Sequence, residues 1–85
     1  MRDTKNAQEL QTASVPSGPS EEGRIERLLV KQTGQEEIRF SWWKEGRMAP
    51  RPLDLPEDDL LALFQDAIAK GVFTPAFRAR LRAVL

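Results

Sequence analysis

Apolar and polar positions alternate cleanly in one stretch of the chain. Ile38, Phe40 and Trp42 interleave with Arg39, Ser41 and Trp43. Successive strand side chains point to opposite faces of a sheet, so the pattern predicts a strand near residues 37–44 with one tryptophan on each face. Ile38, Phe40 and Trp42 are assigned to the core face. Trp43 then belongs to an outer face with Arg39 and Ser41. The segment before it is ambiguous. Ile25, Leu28 and Leu29 fit a short helix that Ser20 would cap, and Leu28–Val30 ahead of a turn fit a strand. A lone strand is unstable, and Gln32-Thr33-Gly34-Gln35 makes a good tight connection. A hairpin is therefore favoured, with strands near 25–32 and 37–44. Lys44-Glu45-Gly46-Arg47 reads as a second turn, followed by a short third strand near 47–50. Pro50 and Pro52 confine that strand to an edge and hold Arg51 between them in extended geometry.

After residue 53 the period changes from two to about 3.6. Leu60, Leu61, Phe64, Ala67 and Ile68 make one helical stripe. Pro56 suits the first helical position, and Glu57, Asp58 and Asp59 place negative charge at the positive end of the helix dipole. Gly71 suits a left-handed terminus. Thr74 and Pro75 open a second helix as N-cap and first residue, with Phe77, Leu81 and Val84 on one face. The helices are expected near 56–70 and 75–85. The link of residues 50–56 carries the chain from sheet edge to helix, with Leu53 and Leu55 tucked inward. The elements add up to a small α+β domain of ββ(β)αα order. It is an antiparallel meander of two or three strands, packed on one face by two C-terminal helices.

Composition changes this picture at the N-terminus. Residues 1–23 hold Leu10 and Val15 as their only large aliphatic side chains apart from Met1. A segment so poor in apolar surface does not offset the entropy of ordering it, and a disordered tail is expected there. The folded domain is assigned to residues 24–85. At about 60 residues such a domain is marginally stable, and association would relieve that.

Thirteen basic residues balance thirteen acidic ones. That is far from the basic footprint of a protein held on nucleic acid by phosphates, and it gives no support for a membrane-surface binder. The chain has neither Cys nor His. This removes disulfides, the commonest zinc ligands, the usual neutral-pH general base and the Ser-His and Cys-His nucleophile arrangements. No apolar run is long enough to span a bilayer, and the first residues lack the apolar core of a signal peptide, so the cytoplasm is the expected location. No catalytic residue, metal or cofactor is predicted, and no small-molecule substrate is evident. The acidic cluster Asp54, Glu57, Asp58 and Asp59 lacks the Asp-x-Asp-x-Asp-Gly loop of a calcium site.

Recognition is the class of function left. An outer-face Trp43 with Arg39 and Ser41, and with Arg47 or Arg51 from the next segment, fits an anchor for a protein partner or a homodimer, since Trp and Arg are enriched at hot spots. The alternatives are that Trp43 merely seals the sheet against Pro50–Pro52, or that it stacks a base. A second nucleic-acid route lies in the helices. Ala67, then Gly71 four residues on, with Phe77 in the following helix, resembles the helix-turn-helix DNA-binding family over about twenty residues. The resemblance would make Arg78, Arg80 and Arg82 phosphate or base contacts. Lys70 and Arg80 depart from it by occupying positions that the motif keeps apolar, and no third helix is evident. Arginines near a helix C-terminus also complement its dipole. A protein partner or a second copy is favoured over nucleic acid.

Overall fold

The computed structural model describes residues 2–85. Five strands form one antiparallel sheet and two helices follow, an α+β fold. β1 spans Ala7–Gly18, β2 Glu21–Val30, β3 Gln35–Lys44, β4 Arg47–Met48 and β5 Leu53–Leu55. α1 covers Glu57–Ala69 and α2 Pro75–Val84. The order across the sheet is β1-β2-β3, with β4 and β5 dividing the far edge of β3 between them. β4 pairs with Trp43 and Lys44, and β5 with residues 38–40.

The largest departure from the sequence reading is β1. The tail expected over residues 1–23 is mostly strand, paired with β2 from Ala7↔Val30 to Gly18↔Glu21. Apolar content misleads here because an edge strand needs one backbone ladder more than it needs a packed side-chain face. Residues 2–6 fold back beside it. The Glu9 amide donates to the Arg2 carbonyl, the Thr4 amide to Ala7 and the Lys31 amide to Asn6.

Local chemistry explains the connections. Glu45 and Gly46 both have positive φ (51° and 78°), as a two-residue type I′ hairpin turn requires. Gly71 (φ 70°) ends α1, with the Val72 amide returning to the Ala67 carbonyl. The Thr74 hydroxyl accepts from the Phe77 amide and caps α2. Pro56 lies one position earlier than expected, at the N-cap of α1, and offers no side-chain cap. Arg51 is not extended. Its φ of 63° places it in the left-handed region, which a non-glycine residue occupies at a cost of about 1–2 kcal/mol.

α1 leans on β3, and Arg27 of β2 pairs with Glu57 at its start (2.5 Å). Phe73 joins the helices, edge-on to Phe64 at 5.7 Å and tilted against Phe77 at 5.2 Å. The apolar stripe of α1 is wider than its contact. Leu60, Phe64 and Ala67 turn inward, whereas Leu61, Leu63 and Ile68 are exposed. Val72, Phe77, Val84 and Leu85 are exposed as well. The whole is correspondingly open. Its radius of gyration is 14.6 Å, against about 12 Å for a compact chain of this length.

Candidate functional site

The two sheet faces are built differently. Register places Glu22, Arg24, Glu26 and Leu28 of β2 on the same face as Trp43, Ser41, Arg39 and Glu37 of β3. That face is the buried one. Trp43 is 7% exposed and Glu26 0%. The Trp43 indole N–H donates to Ser41 Oγ (3.0 Å), and the Ser41 hydroxyl donates to Glu26 Oε1 (2.9 Å). The Arg2 guanidinium donates to Glu26 Oε2 (2.7 Å) and to Glu9 Oε2 (3.3 Å). The Arg2 backbone amide also donates to Glu9 Oε2 (2.8 Å), and Thr12 Oγ1 donates to the other Glu9 oxygen. Arg24 and Arg2 lie over the Trp43 ring, 3.9 and 4.7 Å from its centroid, within cation–π range. Arg24 is itself held by Glu22 (2.5 Å).

This corrects the assignment of Trp43 to an open outer face with Ser41. Both are buried, in a network whose every carboxylate has a cation or hydroxyl partner, as buried charge requires. The apolar parity of Ile38, Phe40 and Trp42 suggested the core, but the Arg2 and Arg24 side chains close the other face over Trp43 and Glu26. The Trp43 edge reaches only a small recess of about 260 Å³ beside Pro16 and Glu22.

Arg39 is equally committed. It meets its register partner Asp54 in a two-point ion pair (2.8 and 2.9 Å) that fastens β5 to β3. The Asp54 carboxylate raises the Arg39 pKa above its ordinary value, so Arg39 stays charged throughout the working pH range. Hydrogen bonding to Glu57, then Glu36, raises Arg27 likewise. Asp54 and Glu57 of the acidic cluster thus serve ion pairs within the chain.

The opposite face is the open one. Ile38 is buried there, opposite Leu55. Further along β3 the cover stops. Val15, Ile25, Phe40, Trp42, Pro50 and Leu53 line a groove of about 600 Å³. Trp42 is 55% exposed in it, contrary to its assignment to the core, and Leu53 is exposed there too rather than tucked inward. Of the residues expected to bind a partner, Arg51 lines this groove together with Ser41, whose hydroxyl is nonetheless committed to Glu26. Arg47 is exposed in β4, whereas Arg39, Ser41 and Trp43 belong to the closed face. Arg80 and Arg82 are exposed on α2, and Arg78 is half-buried. The groove residues Trp42, Ile25, Val15 and Leu53 escaped the sequence reading. Their signal was an excess of apolar side chains on one parity of β2 and β3 over what one short helix contact covers.

No family model, no curated protein and no solved structure matches the chain significantly.

Proposed function

We propose that this chain is a non-catalytic interaction module that binds a protein surface, with a second copy of itself among the surfaces it fits, through the face carrying Trp42. One observation carries the reading. A half-exposed tryptophan lies in an apolar groove of about 600 Å³, with a strained arginine at its rim. Aromatic and arginine anchors in a desolvated pocket are the usual centre of a protein interface. Backbone strain at an exposed residue points the same way, since such strain persists where a site uses it. A small ligand would fill the groove and leave Leu61, Ile68 and Val72 uncovered, whereas a macromolecular surface covers both. The lack of His and Cys agrees with recognition rather than chemistry. Nucleic acid fits less well, because Trp43, Arg39 and Arg24 have partners within the chain and the net charge is zero.

Two titrations at about 1 µM chain and low salt test this, conditions under which phosphate attraction is strongest. The apolar dye bis-ANS is expected to bind the wild type and to lose most of its signal with Trp42→Glu. Labelled single- and double-stranded oligonucleotides are expected to leave the tryptophan emission unchanged up to tens of micromolar. Dye binding indifferent to Trp42→Glu, or saturable oligonucleotide binding, contradicts the reading.

A further inference from the structure

We infer that the occupant of the Trp42 groove is a second copy of this chain, seated by the outer stripe of α1. The inference rests on the interaction reading above and names its partner. The first argument is area. The chain exposes 6734 Å², about 1,600 Å² more than the roughly 5,100 Å² expected of a compact monomer of its mass. Two chains that each removed that excess would bury about 3,200 Å² in total, within the range of obligate homodimers.

The second argument is shape. The groove is concave and lies on the sheet. The same chain carries a convex apolar counterpart in Leu61 and Ile68, seven residues apart and so on one side of α1, continued by Val72. A twofold axis that puts each stripe in the other chain's groove satisfies both surfaces twice, as an isologous interface does. Pairing through the free edge of β1 is the competing route. Pro16 and two irregularities of register, between Glu9 and Gln11 and between Pro16 and Gly18, blunt that edge.

The third argument is charge. Among the described residues Arg51 at the groove rim makes no ion pair within the chain, and neither does Asp58 or Asp59 in the first turn of α1. Asp58 lies three residues before Leu61, on the same side of the helix. Seating Leu61 against Trp42 therefore brings an unpaired carboxylate toward the rim that holds the unpaired, strained Arg51. Zero net charge leaves no overall repulsion between copies.

Sedimentation of the full chain from about 1 to 200 µM tests the proposal, with far-UV circular dichroism to show that each variant folds. The wild type is expected to reach twice its 9.7 kDa mass. Trp42→Glu and Leu61→Glu, both at exposed positions, are each expected to weaken the dimer by about thirtyfold or more, as loss of a central anchor does. Arg51→Glu is expected to weaken it by about fivefold, and Arg51→Glu with Asp58→Arg to restore most of that loss. The naturally cysteine-free chain also allows a direct contact test. Leu53→Cys mixed with Ile68→Cys should form a crosslinked heterodimer on oxidation. A wild type that stays monomeric at 200 µM overturns the second-copy assignment, as does a dimer indifferent to Trp42→Glu and Leu61→Glu. Should bis-ANS still find Trp42 in such a monomer, the groove stands as an interaction face for another protein. Should it not, the interaction reading falls as well.

Discussion

A carboxylate with no exposed surface survives in a fold only while cations and donors answer its charge. Glu26 is such a residue, and among the described residues Arg2 is the one cation at ion-pair distance from it, with Ser41 as the second donor. Removing one partner of a buried pair costs about 3–5 kcal/mol. Arg2 keeps about a third of its side chain exposed (35%), so the expectation for Arg2→Ala is lower, about 2–3 kcal/mol in urea unfolding. Arg2→Ala with Glu26→Gln should recover part of it, since the stranded charge is gone. Equal stability of the single and double variants would contradict the role given to Arg2. The adjacent tryptophans make a second test at this scale. Trp43→Ala should cost about 3–5 kcal/mol, as large-to-small changes in a packed site do. Trp42→Ala, measured in the dilute chain, should cost about 1 kcal/mol or less. The reverse order would return Trp42 to the core. That the two rings lie on opposite faces was legible in the alternation of residues 38–43. Which face is closed was not, because the choice depends on Arg2 and Glu9, more than a dozen residues before Glu26 and in a segment that looked like a tail.

At the scale of elements, punctuation was more legible than packing. Thr74-Pro75, Gly71 and Glu45-Gly46 set helix and turn boundaries through backbone rules that act within a few residues, and they do so here. The hairpin of β2 and β3 likewise followed from alternation and from the need of a strand for a neighbour. β1 was hidden because its stability comes from a ladder to β2 and from polar contacts of Glu9 and Thr12, neither of which shows in apolar content. Hydrogen exchange measures this directly. The β1 amides that face β2 should exchange about a hundredfold or more slower than unstructured peptide, and those on the outer edge beyond Glu9, whose amide is held by Arg2, should exchange fast. Uniform fast exchange over Ala7–Gly18 would make the segment a tail after all. The helices present the converse case. Their stripes were read correctly as apolar, but a stripe says only that something covers it. Leu60, Phe64 and Ala67 find cover within the chain, whereas Leu61 and Ile68 do not.

At the scale of the molecule, the open shape, the excess surface and the uncovered groove are what the proposed interaction accounts for together: a sheet face with Trp42 that a surface outside the chain would finish. The proposed occupant is a second copy, and Trp42, which lines the groove, reports on it. Trp43→Phe leaves Trp42 as the only indole. Its emission and acrylamide quenching, followed from about 1 to 200 µM, measure whether the groove is wet or covered. The expected result is a red-shifted, readily quenched Trp42 in dilute solution, shifting to blue and becoming shielded over the same concentrations at which the sedimenting mass doubles. An emission from Trp42 that is unchanged across that range, whether exposed or shielded throughout, would contradict it.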